Sequence, residues 1–297
     1  MTESEKKSFK SGFVVLVGRS NVGKSTLLNT LVGTKIAATS FRAQMTRNEI
    51  HGVMNMPGTD LHPGGQAIFI DTPGVFKDKK NPLTAKLTNK VKTILEQEID
   101  VVIYVVDPSR EVGDEERASF GMIRHLNIPK ILVINKSDLP KNEKEHLPEY
   151  ESWAKDFDAC FQLSAINASH IQPLREKVIE LLPEGEQLYT DGQLTNIDNY
   201  FWMAEIIREK IFSVFEKEVP YSMAVEVDNV EDKPDVMVIS ARILTNEERY
   251  KKIIIGRGGL KIKEIGKMAR RELEQAINKK IYLELEVEVD PHWVERI

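Results

Sequence analysis

Cysteine is almost absent from this chain: 297 residues contain one, Cys160. A single thiol cannot close an intramolecular disulfide and offers no ligand set of zinc spacing, so the fold must rest on burial rather than on staples. Its neighbours in Ala159-Cys160-Phe161 favour a small buried apolar residue over a reactive thiol. Long apolar runs are also missing. Nothing approaches the roughly 20 residues that span a bilayer, and Met1–Lys10 is charged where a signal peptide would be apolar. A cytoplasmic protein is expected, with peripheral contact at the inner face of the cell membrane left open. Net positive charge is lacking as well, since the chain carries −5 at pH 7. Taken alone, that argues against a nucleic-acid partner, because phosphate binding needs clustered Lys and Arg. Internal repeats and low-complexity tracts are absent too.

What remains is an ordinary globular composition, 41% hydrophobic and 29% charged, in a chain long enough for two domains. Apolar runs rich in β-branched residues, Phe13–Gly18, Ala67–Asp71, Val101–Asp107 and Lys130–Asn135, read as buried strands. Helix-compatible segments alternate with them: Lys24–Leu31, Pro82–Glu98, Glu115–Leu126 and Ile171–Leu182. That order predicts an α/β doubly wound sheet with its ligand at the strands' C-terminal ends. Glu49–Met56 reads as a further strand, joined to Ala67–Asp71 by a Pro/Gly-rich stretch and so antiparallel at the sheet edge. The polar, turn-rich stretch after Leu182 reads as a linker. The expected domains are therefore 1–183, a linker at 184–198, and 199–297. In the last of these the order is helix, two strands, helix, Gly-rich turn, helix, strand, a small α+β module.

Gly18-Arg19-Ser20-Asn21-Val22-Gly23-Lys24-Ser25 has the G-x-x-x-x-G-K-[ST] spacing, and it follows a strand and opens a helix. The glycines let backbone N–H groups curl inward around phosphates, the helix N-terminus adds positive potential, Lys24 reaches the β- and γ-phosphates, and Ser25 ligates Mg²⁺. Thr26 continues the loop into the helix. Asp71-Thr72-Pro73-Gly74 ends the second buried strand, where Asp71 can hold Mg²⁺ through water and the Gly74 amide can meet the γ-phosphate. Asn135-Lys136-Ser137-Asp138 ends another. The Asp138 carboxylate can accept from both N1–H and the 2-amino group of guanine, whereas adenine would leave it unpaired. Lys136 can lay its stem on the base, and Ser164-Ala165-Ile166 can offer a backbone N–H to O6. Each later motif alone is more often a cap or turn; four in one order, each at a strand end, point to GTP/GDP and Mg²⁺.

Thr46, between the first helix and the edge strand, is the candidate switch threonine that joins Mg²⁺ when the γ-phosphate is present, though an ordinary loop threonine fits as well. Val75 stands where Ras-like enzymes carry a water-positioning glutamine, so slow hydrolysis accelerated by a partner or ion is expected.

The charge average conceals a local imbalance. Between Arg249 and Lys280 lie eleven Lys or Arg and three acids, an excess of eight. Within that stretch Gly256-Arg257-Gly258-Gly259 joins two helices in the G-x-x-G form of the K-homology fold, whose open turn lets a nucleic-acid backbone approach the peptide. Lys261, Lys263, Lys267 and Arg270 follow on the next helix. A lone G-x-x-G is a common turn and a charged helix face is usually only solvated. Their coincidence in a module ordered like the second type of K-homology fold points to RNA. Trp153, Trp202 and Trp293 are expected to pack rather than stack on bases.

Along nearly its whole length the chain resembles the bacterial Era family of GTPases. The resemblance is carried by Gly18–Asn29, Gln44-Met-Thr-Arg47, Asp71–Gly74, Asn135–Asp138, Ile253–Gly266 and Lys280–Leu285. It implies a P-loop GTPase domain followed by a type II K-homology domain, in a partly membrane-associated cytoplasmic factor. Its implied partners are the single-stranded 3′ end of 16S ribosomal RNA and the small ribosomal subunit, whose assembly and rRNA maturation it would serve. It also implies that Asn21 helps place a potassium ion near the phosphates, so that Lys24, Thr46 and Asn21 form the catalytic set. A monomer is expected. Ser20 stands where the family usually has proline, and Met45 where threonine is common; neither removes a group the chemistry needs. The competing reading is a GTP-dependent switch whose C-terminal module binds protein or anionic lipid.

Overall fold

The structure, a computed structural model, describes residues 8–38, 50–59, 63–74, 82–190, 192–215 and 219–293. These residues group into two compact units, one holding those up to Ala37 and those from Ile50 to Asn196, the other holding Ala38 and those from Ile197 onward.

In the first unit the elements run β1 (Lys10–Val17), α1 (Lys24–Val32), β2 (Ile50–Met56), β3 (Gly65–Asp71), α2 (Pro82–Leu95), β4 (Val101–Val106), α3 (Asp114–Ile123), β5 (Lys130–Ile134), α4 (Leu147–Glu151), β6 (Ala159–Gln162) and α5 (Ile171–Leu181). The sheet order is β2-β3-β1-β4-β5-β6. All neighbours are parallel except β2, which pairs antiparallel with β3. A strand covered on both faces must be apolar at every position, and all six residues of β4 are buried. Because β1 lies between β3 and β4, the connection leaving β1 runs to one side of the sheet and that leaving β4 to the other, which opens a crevice at their C-terminal ends. The ends of β1, β3, β5 and β6 share that rim. Below it Val15, Val102, Tyr104 and Leu132 form the core with Tyr150 from the short helix α4, which the sequence had not suggested. Trp153 stacks on Phe120 at 4.9 Å between ring centroids, so it packs in that cluster.

The polar stretch after α5 lies against this first unit. Ser11 N donates to Pro183 O, Lys10 bridges Glu184, and Thr195 bridges Gly52 on the outer edge of β2. Its centre is held by Gln66, fully buried in β3. The Gln66 Oε1 accepts from the amides of Leu188 and Tyr189, both at 2.8 Å, while its Nε2 donates to Tyr189 O and to Asn55 Oδ1, both at 2.9 Å. One side chain thus replaces the ladder that the edge strand lacks.

The structure overturns one expectation. Cys160 is exposed, not buried, because β6 closes the sheet and alternate residues of that edge strand face water. Partial burial and the nearby Glu151 carboxylate still push its thiol up, away from the reactive thiolate.

The second unit runs α6 (Asn199–Val214), β7 (Met223–Asp232), β8 (Met237–Thr245), α7 (Glu248–Ile255), α8 (Leu260–Ile277) and β9 (Ile281–Val289). Asp198 caps α6 by accepting from Phe201 N at 2.7 Å. β8 is central, antiparallel to β7 and parallel to β9. The apolar faces of the helices close over one side of this sheet, through Ile207, Ile211 and Phe212 of α6, Ile254 of α7, and Ile265 and Ala269 of α8. Trp293 is buried as well.

Replacing Gln66 by Leu leaves the Leu188 and Tyr189 amides without their acceptor, a loss of about 1–3 kcal/mol per buried donor. In hydrogen-exchange experiments the amides of residues 187–190 should exchange at least about tenfold faster than in the parent, while those of β4 stay protected. Unchanged exchange at Leu188 and Tyr189 would rule out the side-chain clamp.

Candidate functional site

At the β1 end of the crevice, Gly18–Gly23 curls between strand and helix. Gly23 has φ 98°, and a Cβ there would lie 2.3 Å from Asn135 Nδ2, so only glycine lets the two loops touch. Lys24 is 6% exposed, and its ammonium donates to Gly18 O and Arg19 O, each at 3.0 Å. Burial pushes it down to about 8, against the pull of the Asp71 and Glu116 carboxylates. An ammonium so desolvated gains from any anion brought into the loop, which is the behaviour a phosphate site requires. Asn21, with φ 64°, accepts weakly from Ser20 Oγ at 3.3 Å. Val22 is fully buried.

Ser25 Oγ donates to Asp71 Oδ2 at 2.5 Å, which joins the first turn of α1 to the end of β3. A hydroxyl and a carboxylate so close are an oxygen donor set suited to Mg²⁺. Thr72 fixes the chain after them by donating to Leu16 O at 2.6 Å, and Pro73 and Gly74 follow, also buried. Thr46 and Val75 lie outside the described residues.

At the other end of the crevice, Asn135 ties three loops together: Nδ2 donates to Val22 O at 2.9 Å and Oδ1 accepts from Ala165 N at 3.0 Å. Ser164 Oγ donates to Asp138 Oδ1 at 2.5 Å, orienting the carboxylate that would read a base. Ser164 and Ser169 exchange backbone hydrogen bonds, closing the Ser164–Ile166 loop into a tight turn. Ile166 is 66% exposed at its rim. Lys136 adopts φ 59°, an uncommon conformation for a side-chain-bearing residue. Its ammonium meets Asp107 Oδ2 at 2.5 Å. Burial alone would raise the Asp107 carboxyl, but hydrogen bonds from Lys136 and Ser109 outweigh it and hold it below the usual carboxylate range.

Sequence reasoning missed Asp107, although an Asp-Pro-Ser turn at the end of an apolar strand was a usable cue. It also missed Glu116, which gave no cue, since Asp114-Glu115-Glu116 reads as the acidic first turn of any helix. Glu116 is nevertheless fully buried, and its carboxylate lies 3.0 Å from Arg19 Nε. The Arg19 guanidinium therefore points into the core, and Arg19 can serve phosphate only through its backbone.

In the second unit, Gly256, Gly258 and Gly259 have φ 73°, 59° and 76°, so the turn between α7 and α8 needs glycine at 256 and favours it at the two left-handed positions after it. Arg257 is exposed on it. Beside the turn, α8 and β9 enclose a groove of about 350 Å³ lined by Ile262, Lys263, Gly266, Lys267, Arg270, Leu283 and Leu285. The three cations follow helical spacing along one wall and the leucines form the floor, a combination that accepts an anionic backbone and apolar bases together. Lys261 instead pairs with Glu264 at 3.0 Å.

Comparison with known proteins follows these two sites. Residues 13–136 match the family described as 50S ribosome-binding GTPase, and residues 218–294 match the KH domain. The GTPase Era of Thermoanaerobacter sp. (strain X514) is 39% identical over 287 residues, covering 96% of this chain and 92% of that one. That of Carboxydothermus hydrogenoformans is 40% identical over 294 residues, covering 96% and 94%. A crystal structure of Era in complex with MgGDPNP and nucleotides 1506–1542 of 16S ribosomal RNA superposes with a TM-score of 0.87 at 36% identity, covering 97% of this chain and 96% of that one. A variant of Aquifex aeolicus Era bound to GDP.AlF4- gives 0.86 at 36% identity over the same shares.

Asp138→Asn tests the base pocket. An amide accepts once and donates once, so it loses the 2-amino group of guanine and gains the 2-carbonyl of xanthine. Affinity for GDP should fall about 100-fold, two charge-assisted hydrogen bonds being weakened, while xanthosine diphosphate binding rises. Fluorescent-nucleotide titration reads both, and an unchanged preference for guanine would disprove the assignment of Asp138.

Proposed function

Because this chain belongs to the Era family of GTPases, we propose that its GTP cycle times the binding of its K-homology unit to the single-stranded 3′ end of 16S ribosomal RNA during small-subunit assembly and rRNA maturation. The GTPase activity and a GTP, Mg²⁺ and RNA partnership go with that family. The finer role rests on how the two sites combine. One observation carries it: a base pocket closed by an acceptor-only carboxylate, Asp138, occurs in the same chain as a glycine-hinged basic groove floored by leucines. The relative bound to nucleotides 1506–1542 of 16S RNA supports the choice of RNA end.

In the first unit, the Gly18–Ser25 amides and the α1 N-terminus wrap the phosphates, and Lys24 exchanges its loop carbonyls for phosphate oxygens. Ser25 and Asp71 would hold Mg²⁺, which when bound draws charge from the β- and γ-phosphate oxygens. Thr46 would complete that set in the triphosphate state, and Asn21 is the residue assigned to a potassium ion. Asp138 and the Ala165 amide select guanine, while Lys136, anchored on Asp107, covers the base. In the second unit, Arg257, Lys263, Lys267 and Arg270 meet phosphates and the groove floor takes bases.

A cytoplasmic site of action belongs to the same proposal. Among the described residues no helix is long and apolar enough to cross a membrane. A lipid or protein partner for the second unit is less well supported, since headgroups make no use of the leucine floor.

Gly258→Asp separates the two sites. Nothing lies within 4 Å of the position a Cβ would take there, and Asp tolerates the left-handed backbone, so the fold should survive while a negative charge enters the turn. Binding to a 3′-end 16S oligonucleotide should be lost with GDP affinity unchanged. Lys263→Ala should lower the salt slope of that binding by about 1. Equal loss of both ligands, or retained RNA binding with loss of anionic-vesicle binding, would defeat the proposal.

A further inference from the structure

We propose that Glu116 is a positioning residue for the triphosphate state: it holds Arg19 from outside, and through Arg19 the half of the phosphate loop nearest the γ-phosphate. The inference rests on the guanine-nucleotide reading above and adds to it a requirement for a residue far from any nucleotide motif in sequence.

The geometry is a bracket. Glu116, on α3, is fully buried, and its carboxylate meets Arg19 Nε at 3.0 Å, the Tyr104 hydroxyl at 2.5 Å and the Tyr150 hydroxyl at 3.2 Å. Ser119 supports Tyr104 at 2.8 Å. Arg19 also donates through Nη1 to Glu111 O at 3.0 Å, and Arg110 Nη1 donates to the next loop residue, at Ser20 O, at 2.8 Å. Residues 110–116 therefore grip two consecutive residues of the phosphate loop, each by an arginine, one reaching in each direction.

The energetics argue against a plain packing role. Burial pushes the Glu116 carboxyl up in spite of its three partners, so the ion has been taken from water at a loss. Apolar side chains of similar volume would hold the same two elements together as well or better, whereas a buried charge pair combined with the directed hydrogen bonds from Arg19 to Glu111 O and from Arg110 to Ser20 O fixes direction as well as distance. The direction fixed here matters. A Cβ on Gly74 would lie 2.5 Å from Ser20 Cα, so the loop residue gripped by Arg110 rests against the glycine whose amide is expected to meet the γ-phosphate. Movement of Arg19 and Ser20 would open that junction, whereas the α- and β-phosphates face the later half of the loop, held by Asn135 through Val22. Loss of the bracket should thus weaken GTP more than GDP.

The test compares the parent with Glu116→Gln and with the double variant Arg19→Met, Glu116→Leu, using fluorescent GDP, a fluorescent non-hydrolysable GTP analogue and urea unfolding. The single variant strands the Arg19 charge and should lose stability; the double variant replaces the whole pair with apolar groups and should unfold near the parent midpoint. In both, the GTP-analogue affinity should fall about tenfold or more, the weight of one charge-assisted hydrogen bond, with GDP changing by less than about threefold. Should the double variant bind both nucleotides like the parent, or should the two affinities fall by the same factor, Glu116 supports the fold alone and the proposal is overturned. A parent protein indifferent between guanine and adenine nucleotides would instead overturn the underlying site reading.

Discussion

Asn135 is 3% exposed, and its amide is used at both ends, donating to the phosphate loop at Val22 and accepting from the base loop at Ala165. A carboxylate could only accept and an ammonium only donate, so an amide is the group that can join a carbonyl on one side to an N–H on the other. The separation between the phosphate-binding and base-reading parts of the crevice is fixed by that one side chain. Its contact with Gly23 explains why the loop tolerates no Cβ there, and the neighbouring Lys136 turns left-handed. In the proposed reading Asp138, held by Ser164, selects guanine, and Asn135 sets how far the loop bearing Ser164 and Ala165 stands from the phosphate loop.

Around this tie the first unit buries charge at Lys24, Asp107 and Glu116, among other places, and at these three the compensation differs. Among the described residues Lys24 has no carboxylate in ion-pair contact and rests on carbonyl oxygens, so its charge is left available to an incoming anion. Asp107 is neutralised by Lys136 and Ser109, which converts a flexible side chain into a fixed wall of the base pocket. Glu116 is surrounded by an arginine and two phenols, the fullest set of partners of the three. Buried ions with complete partner sets act as geometry, while the incompletely compensated one acts as a receptor.

The legibility of the molecule in its sequence follows the range of the forces involved. Strands buried on both faces must be continuous apolar runs, so β3, β4 and β5 could be read almost to the residue. The phosphate loop, Asp71–Gly74 and Asn135–Asp138 are short because their chemistry is local, and short motifs survive in a linear code. Gln66 and Glu116 could not be found that way. Their partners lie more than a hundred and close to a hundred residues away, at Leu188 and Arg19, and nothing nearby in sequence marks a glutamine or glutamate that will be buried. Cys160 failed for another reason: apolar neighbours suggest burial, but whether a strand is central or at the edge depends on topology, which composition does not carry.

The charge distribution of the second unit answers the objection that an acidic protein should avoid nucleic acid. β9 alternates strictly, turning Leu283 and Leu285 toward the groove and exposing Tyr282, Glu284, Glu286 and Glu288. Acids on β7 and β9 gather around Arg242, which donates to Asp228, Glu226 and Glu288 and is held charged by them. Screening at physiological salt acts over about 8 Å, so the cations of α8 present their own field to an RNA lying in the groove rather than the average of the chain. The acidic strand positions then have a constructive effect. By making the rest of the unit unattractive to phosphate, they leave the glycine-hinged groove as the favourable place for an RNA backbone, and overall negative charge becomes part of how the site is chosen.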